Sequence, residues 1–159
     1  MIFVTTGTQF PFNRLVNTVD AWSSSLENVQ VFAQTGPEGE APKHIESQAL
    51  LAPDEYESVI SKTTHLIAHA GIGSIITAIE HNIPAILMPR KYTLGEHRND
   101  HQMATAEKFK GRRGIYIAMD EAELTSLLNK LDSLEKPNPE GSSASPELLS
   151  FVKDFIEKA

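Results

Sequence analysis

Short apolar runs alternate along this chain with longer stretches in which apolar residues return every three or four positions, the pattern of a parallel α/β sheet. The first run, residues 2–6, is β-branched and stops at Gly7. Leu15, Val16, Val19 and Trp22 then recur at helical spacing over 13–22. Residues 29–33 read as a second strand closed by Gly36 and Pro37, and 39–47 are polar and turn-rich. A short helix is expected over 54–62, where Tyr56, Val59 and Ile60 share a side. Residues 65–68 form the next buried strand, and a helix over 74–81 follows it. The strand at 85–88 ends at Pro89, and a polar loop fills 90–98. A helix over 99–110 carries Met103, Ala106 and Phe109 on one side. A last short strand at 115–118 leads into a helix over 121–131.

The 159 residues correspond to one ordinary α/β domain. We read residues 1–134 as that domain and 135–145, rich in Pro, Gly and Ser, as a linker. Residues 146–159 read as a separate amphipathic helix. Ser145 suits its cap, Pro146 its first position and Glu147 its positive end, while Leu148, Leu149, Val152, Phe155 and Ile156 form one apolar stripe. Such a stripe has to dock, on a partner or on its own domain.

A net charge of −7 argues against sequence-independent nucleic-acid binding, although Lys108, Lys110, Arg112 and Arg113 form a local basic cluster. The absence of cysteine removes disulfide and thiolate chemistry. No run approaches the ~20 apolar residues of a membrane helix, and the N-terminus enters a strand without a basic leader. The expectation is a cytoplasmic protein that reaches a membrane only through a partner.

Three segments could carry chemistry. After the 65–68 strand come His69 and Ala70, then Gly71-Ile72-Gly73-Ser74 and a helix. Glycines allow close backbone approach, and the free N–H groups of a helix start attract phosphate. The motif is incomplete as a dinucleotide fingerprint, because Thr77 and Ala78 stand where a third glycine would fall. A tight strand-to-helix turn without a ligand would use the same glycines. Thr5-Thr6-Gly7-Thr8-Gln9 is a second small, hydroxyl-rich loop at a strand end, where ligands of open α/β sheets gather; Thr8 could instead cap a helix starting near Pro11.

The third segment is Gly95-Glu96-His97-Arg98-Asn99-Asp100-His101-Gln102. Arg98 suits phosphate, and Asn99, Asp100, His101 and Gln102 suit sugar hydroxyls; a solvated loop with an Asx cap would look the same. His97 and His101 have the spacing of a metal pair but lack a third ligand, so no metal is expected. His69 is either a satisfied core histidine or a donor to phosphate. Glu80, one turn beyond Thr77, could accept ribose hydroxyls or simply face solvent.

Taken in order, the glycine motif, Ile83-Pro84-Ala85-Ile86-Leu87-Met88-Pro89-Arg90 and the segment from Gly95 to Gln102 resemble the C-terminal domain of family 28 glycosyltransferases. The likeness extends from Met1 to about Leu131. It is nearest to the PssE type, the small catalytic subunits of split bacterial exopolysaccharide glycosyltransferases.

This resemblance implies a Rossmann-like parallel sheet with helices on both faces, the donor-binding half of a GT-B enzyme. It implies a UDP-sugar donor, a lipid-linked saccharide as acceptor and inversion without a metal or other cofactor. It further implies a membrane-anchored partner subunit that binds the acceptor, with the terminal helix reaching toward it. Thr6, Gly7, Thr8, Gln9, Gly71, Gly73 and Ser74 match the diphosphate loops, joined by Arg98. Leu51, Ala52 and Pro53 fall where the family's backbone meets uracil. Asn99, His101 and Gln102 are the expected sugar contacts. The family's ribose-binding glutamate aligns with Thr77, and Glu80 is its substitute one turn on. The family's general base normally comes from the other lobe; His69 and Glu96 are the local candidates. A non-catalytic nucleotide-sugar-binding regulatory subunit is the alternative. An oxidoreductase or methyltransferase is disfavoured by the incomplete glycine motif and by Ala33-Gln34 where an acidic residue would end the second strand.

Overall fold

The computed structural model describes residues 1–138 together with Ser150, Lys153 and Asp154. The helix expected over 146–159 lies outside the described residues apart from those three positions.

Six strands form one parallel sheet in the order β3-β2-β1-β4-β5-β6. They are β1 (Ile2–Thr5), β2 (Val31–Gln34), β3 (Glu46–Gln48), β4 (His65–His69), β5 (Ala85–Met88) and β6 (Ile115–Ile117). The helices are α1 (Asn13–Ser24), α2 (Pro53–Ser61), α3 (Ile72–Glu80), α4 (His101–Phe109) and α5 (Glu121–Leu128). The short β3 was not anticipated. It is three polar residues on the sheet edge, two of them exposed, so it carries no apolar signature. The chain passes from β2 to β3 through a loop that Asp20 of α1 secures. The buried Asp20 carboxylate accepts the backbone N–H groups of Lys43, His44 and Ile45 at 3.0, 2.8 and 3.1 Å.

The central strands are buried on both faces, as parallel strands must be when helices cover each side. Alternate residues divide between two cores. Phe3, Leu66, Ala68, Ala85 and Leu87 pack under α2, α3 and α4, against Ile60, Ile75, Ile79 and Phe109. Val4, Ala33, Ile67, Ile86 and Met88 face the other way, toward Leu15, Val16 and Val19 of α1 and Leu124 and Leu128 of α5. Each fully buried Leu, Ile, Val or Phe contributes roughly 1.5–3 kcal/mol by leaving water.

The first residues of the expected linker are tied back to the domain. Asn82, in left-handed conformation at φ 54°, exchanges two 2.8 Å hydrogen bonds with the backbone of Asn138. Glu135 donates its N–H to the Tyr116 hydroxyl at 2.7 Å and pairs with Arg113 at 3.2 Å. Residues 135 and 138 are thus held against the rest of the described chain.

Candidate functional site

The strand order reverses direction between β1 and β4, and it is there that crevices open at the carboxyl ends of parallel strands. A cavity of about 440 Å³ occupies this point. Part of the lining is the end of β1 and the loop after it, with Thr5, Thr6, Gly7, Thr8, Gln9 and Phe10. His69, Gly73, Ser74 and Thr77, from the end of β4 and from α3, also line the cavity. Gln34, Tyr56, Arg90, His97 and Gln102 complete it.

Two glycines have direct steric reasons. Gly7 adopts φ +79°, and a Cβ there would come within 2.9 Å of His69 Nε2. A Cβ on Gly71 would lie 2.5 Å from His69 Cε1. The imidazole thus lies between two backbone segments that only glycine keeps clear. Gly71 is the residue preceding α3, so Ile72, Gly73 and Ser74 are its first three positions, whose N–H groups have no acceptor within the helix. Together with the helix dipole they make the cavity wall attractive to an anion.

The positive charge of the lining comes from Arg90, just beyond the end of β5. Its side chain is almost fully buried. It donates to the carbonyls of Thr6, Pro11 (2.9 Å) and Glu96 (3.4 Å) and lies 5.0 Å over the Phe12 ring. Among the described residues no carboxylate hydrogen-bonds it. Burial lowers its pKa to about 10, partly offset by the charge of Glu96, so it stays a cation at neutral pH. A cation held by carbonyl dipoles beside a helix start is a setting in which bound phosphate is stabilised.

Gln34 braces the same corner. Its buried amide donates to Thr5 Oγ1 and Gly7 O, both at 3.3 Å, and accepts the Leu51 N–H at 3.1 Å. His69 is held neutral: burial first, then the proximity of Arg90 and His97, push its pKa down to about 4. Gln102 touches it, Nε2 to Nδ1 at 3.0 Å, while Gln102 Oε1 accepts the Arg90 N–H at 3.1 Å. The buried Nδ1 of His97 has no hydrogen-bond partner among the described residues.

The expected residues divide by position. Thr6, Gly7, Thr8, Gln9, Gly73, Ser74, Thr77, His69 and Gln102 line the cavity, and Gly71 abuts it through the His69 ring. Thr8 does not cap α1, which starts at Asn13 after Phe12 without a side-chain cap. Arg98 is outside the lining and lies over the Phe10 ring, itself part of the cavity wall, at 5.6 Å. Asn99 is used locally, its side chain accepting the His101 N–H at 3.0 Å, and His101 is exposed. Glu80 is exposed and outside the lining, whereas Thr77 sits within it, 3.5 Å from the Tyr56 hydroxyl.

Leu51, Ala52 and Pro53 also lie outside the lining. Their donors are spent: Leu51 N–H on Gln34, Ala52 N–H on Glu55 at 2.9 Å, and proline has none. Glu96 is likewise committed. Its carboxylate receives Arg14 Nε and Nη2, each at 2.9 Å, and the Lys91 N–H at 3.0 Å, which makes it an anchor for the loop after β5.

Thr5 and His97, which belong to two of the segments picked out from the sequence, also line the cavity, whereas Phe10, Gln34, Tyr56 and Arg90 line it without having been given a ligand role there. Arg90 had a usable signal, since it follows directly on the carboxyl end of a parallel strand. Tyr56 had none, because apolar spacing assigns it to packing, and Gln34 marks only the end of the second strand. Among the described residues no three His, Cys, Asp or Glu side chains converge as a metal ion requires, and no helix is long and apolar enough to cross a membrane.

An open parallel sheet in the order 3-2-1-4-5-6, with a polar, anion-suited cavity at its switch point, defines a doubly wound, Rossmann-like α/β domain. More specifically, the chain belongs to the glycosyltransferase family 28 C-terminal domain, whose family model matches residues 1–159. The fold is that of the C-terminal half of GT-B glycosyltransferases. The glycotransferase of kitacinnamycin matches with a TM-score of 0.62 at 16% identity, over 99% of this chain and 39% of that one. MurG of Acinetobacter baumannii gives 0.57 at 20% identity, over 99% and 49%. The glycosyltransferase VinC, solved in complex with dTDP, gives 0.53 at 15% identity, over 99% and 42%. This chain therefore spans less than half the length of each of these structures. A search of curated protein sequences finds no match.

Proposed function

We propose that this chain is the donor-binding part of an inverting glycosyltransferase that takes a UDP-sugar and passes the sugar to a lipid-linked saccharide, as in exopolysaccharide or related glycan synthesis. The observation that carries this reading is that the α3 start and the buried Arg90 both line the switch-point cavity. It is a setting for a diphosphate in a family defined by glycosyl transfer.

In the proposed reaction the acceptor hydroxyl attacks the anomeric carbon while the bond from that carbon to the diphosphate oxygen breaks. The departing UDP gains negative charge. The helix-start N–H groups of Gly73 and Ser74 and the Ser74 hydroxyl would donate to that charge, and Arg90, whose own N–H groups serve the Thr6, Pro11 and Glu96 carbonyls, would stabilise it through space as a fixed cation. Thr77 and Tyr56 face the ribose, and Gln102 keeps one N–H and one lone pair for the donor sugar. No residue here is given the role of base. Glu96 is held by Arg14, and His69 is neutral with Nδ1 occupied.

The base and the acceptor site belong, in this proposal, to a membrane-anchored partner subunit. Binding of UDP by this chain, with turnover of a UDP-sugar only after a candidate partner is added, is the expected result. Absence of UDP binding with and without the partner would falsify the proposal. UDP-sugar binding without turnover in any assembled complex would favour the regulatory alternative. Removing residues 146–159 is expected to weaken partner binding more than UDP binding, and equal losses would assign that segment to the domain itself.

A further inference from the structure

The carboxamide of Gln102, at the second position of α4 and 7% exposed, lies between two groups with fixed requirements. On one side is the backbone N–H of Arg90, 3.1 Å away. A peptide N–H can only donate, so the amide oxygen has to face it. The NH₂ group must then face the other neighbour, His69 Nδ1, at 3.0 Å. An amide NH₂ can only donate as well, so Nδ1 has to offer its lone pair. In a neutral ring the remaining proton is then on Nε2. The chain of requirements starts from a backbone atom and does not depend on which end of the amide was drawn as oxygen.

We infer that Gln102 is a positioning residue that locks His69 as the Nε2–H tautomer and so makes it a hydrogen-bond donor to the cavity. Nε2 is the ring nitrogen beside Gly7, in the loop after β1 that lines the cavity. There it adds a donor without adding a charge, since Arg90 and His97 both oppose the imidazolium. The tautomer also withdraws His69 from general-base chemistry, because one nitrogen carries the proton and the other is occupied. The meaning given to this donor, a contact with diphosphate, rests on the function proposed above; the tautomer itself does not.

The two-bond and three-bond ¹⁵N–¹H correlations of the His69 ring, recorded on the full chain without ligand at neutral pH, test the inference. The expected pattern is a protonated Nε2 and an unprotonated Nδ1. In Gln102→Glu one carboxylate oxygen still accepts the Arg90 N–H, but the other needs a donor, so Nδ1 should become protonated. In Gln102→Met, which keeps the volume and removes both bonds, a second population protonated at Nδ1 should appear. A protonated Nδ1 in the unmodified chain would overturn the inference, and that measurement needs no variant to fold. An unchanged Nε2–H pattern in either folded variant would overturn it too. A UDP titration of the same sample separates the two claims. Failure to bind UDP, with and without the partner, while the Nε2–H pattern is present discards the proposed function alone; UDP binding by a chain protonated at Nδ1 discards the tautomer alone.

Discussion

Acidification should destabilise this domain through His69 in particular. The ring is largely buried between Gly7 and Gly71, and burial, Arg90 and His97 together hold its pKa at about 4 against an ordinary 6.5. Because the folded-state value is the lower one, the unfolded chain takes up the proton first as pH falls. The stability tied to neutral His69 is complete above about pH 6.5 and is lost progressively as pH falls toward 4. At about 1.36 kcal/mol per pKa unit, the whole shift corresponds to about 3 kcal/mol, and the step from pH ~7.5 to ~5.0 to about 2 kcal/mol. Urea denaturation of the unmodified chain and of His69→Phe at those two pH values isolates the effect. Phenylalanine changes the baseline at both pH values, but it cannot titrate. Other groups, including His65, whose pKa burial also lowers, act in both proteins alike. The unmodified chain should lose about 2 kcal/mol more than the variant. Parallel pH profiles, agreeing within about 0.5 kcal/mol, would refute the claim that His69 is neutral and desolvated in the folded state.

Arg90→Met should weaken UDP binding by roughly ten- to a hundredfold, the range of a hydrogen bond to a charged group, and calorimetric titration would detect it. Unchanged affinity would remove Arg90 from the diphosphate site. Thr77→Val should weaken UDP binding about threefold or more while hardly altering binding of 2′-deoxy-UDP, and Glu80→Gln should change neither. The opposite pattern would return the ribose contact to Glu80. Asp20→Ala strands three backbone donors that water can partly reach, so a stability loss of about 1–3 kcal/mol is expected in thermal or urea melts. A loss below about 0.5 kcal/mol would show that solvent satisfies those amides equally well.

Much of the fold was legible because the periodicities were clean. Residues 85–88 read as a strand at the observed bounds, and the helices carried by Leu15, Val16 and Val19 or by Ala106 and Phe109 fell within a few residues of place. The two glycine loops declared themselves through backbone freedom, a property of single residues. β3 escaped because a polar edge strand is stabilised by its neighbour's hydrogen bonds and buries no side-chain stripe.

The site was legible only in part, and the division has a physical cause. Local chemistry placed Gly7, Gly73 and Ser74 at strand ends, since strand, turn and helix are short-range consequences of sequence. Which charges remained available was decided by pairings over long separations. Arg14 reaches 82 residues to occupy Glu96, while Arg90 reaches 84 back to Thr6 and meets only carbonyls there. Gln102 meets His69 across 33 residues and orients its proton. Such partners are chosen by sheet order and helix docking, so the sequence alone determined a Rossmann-like domain with two ligand-type loops. The tertiary packing determined which cation faces them, which carboxylate does not, and how the histidine between them is protonated.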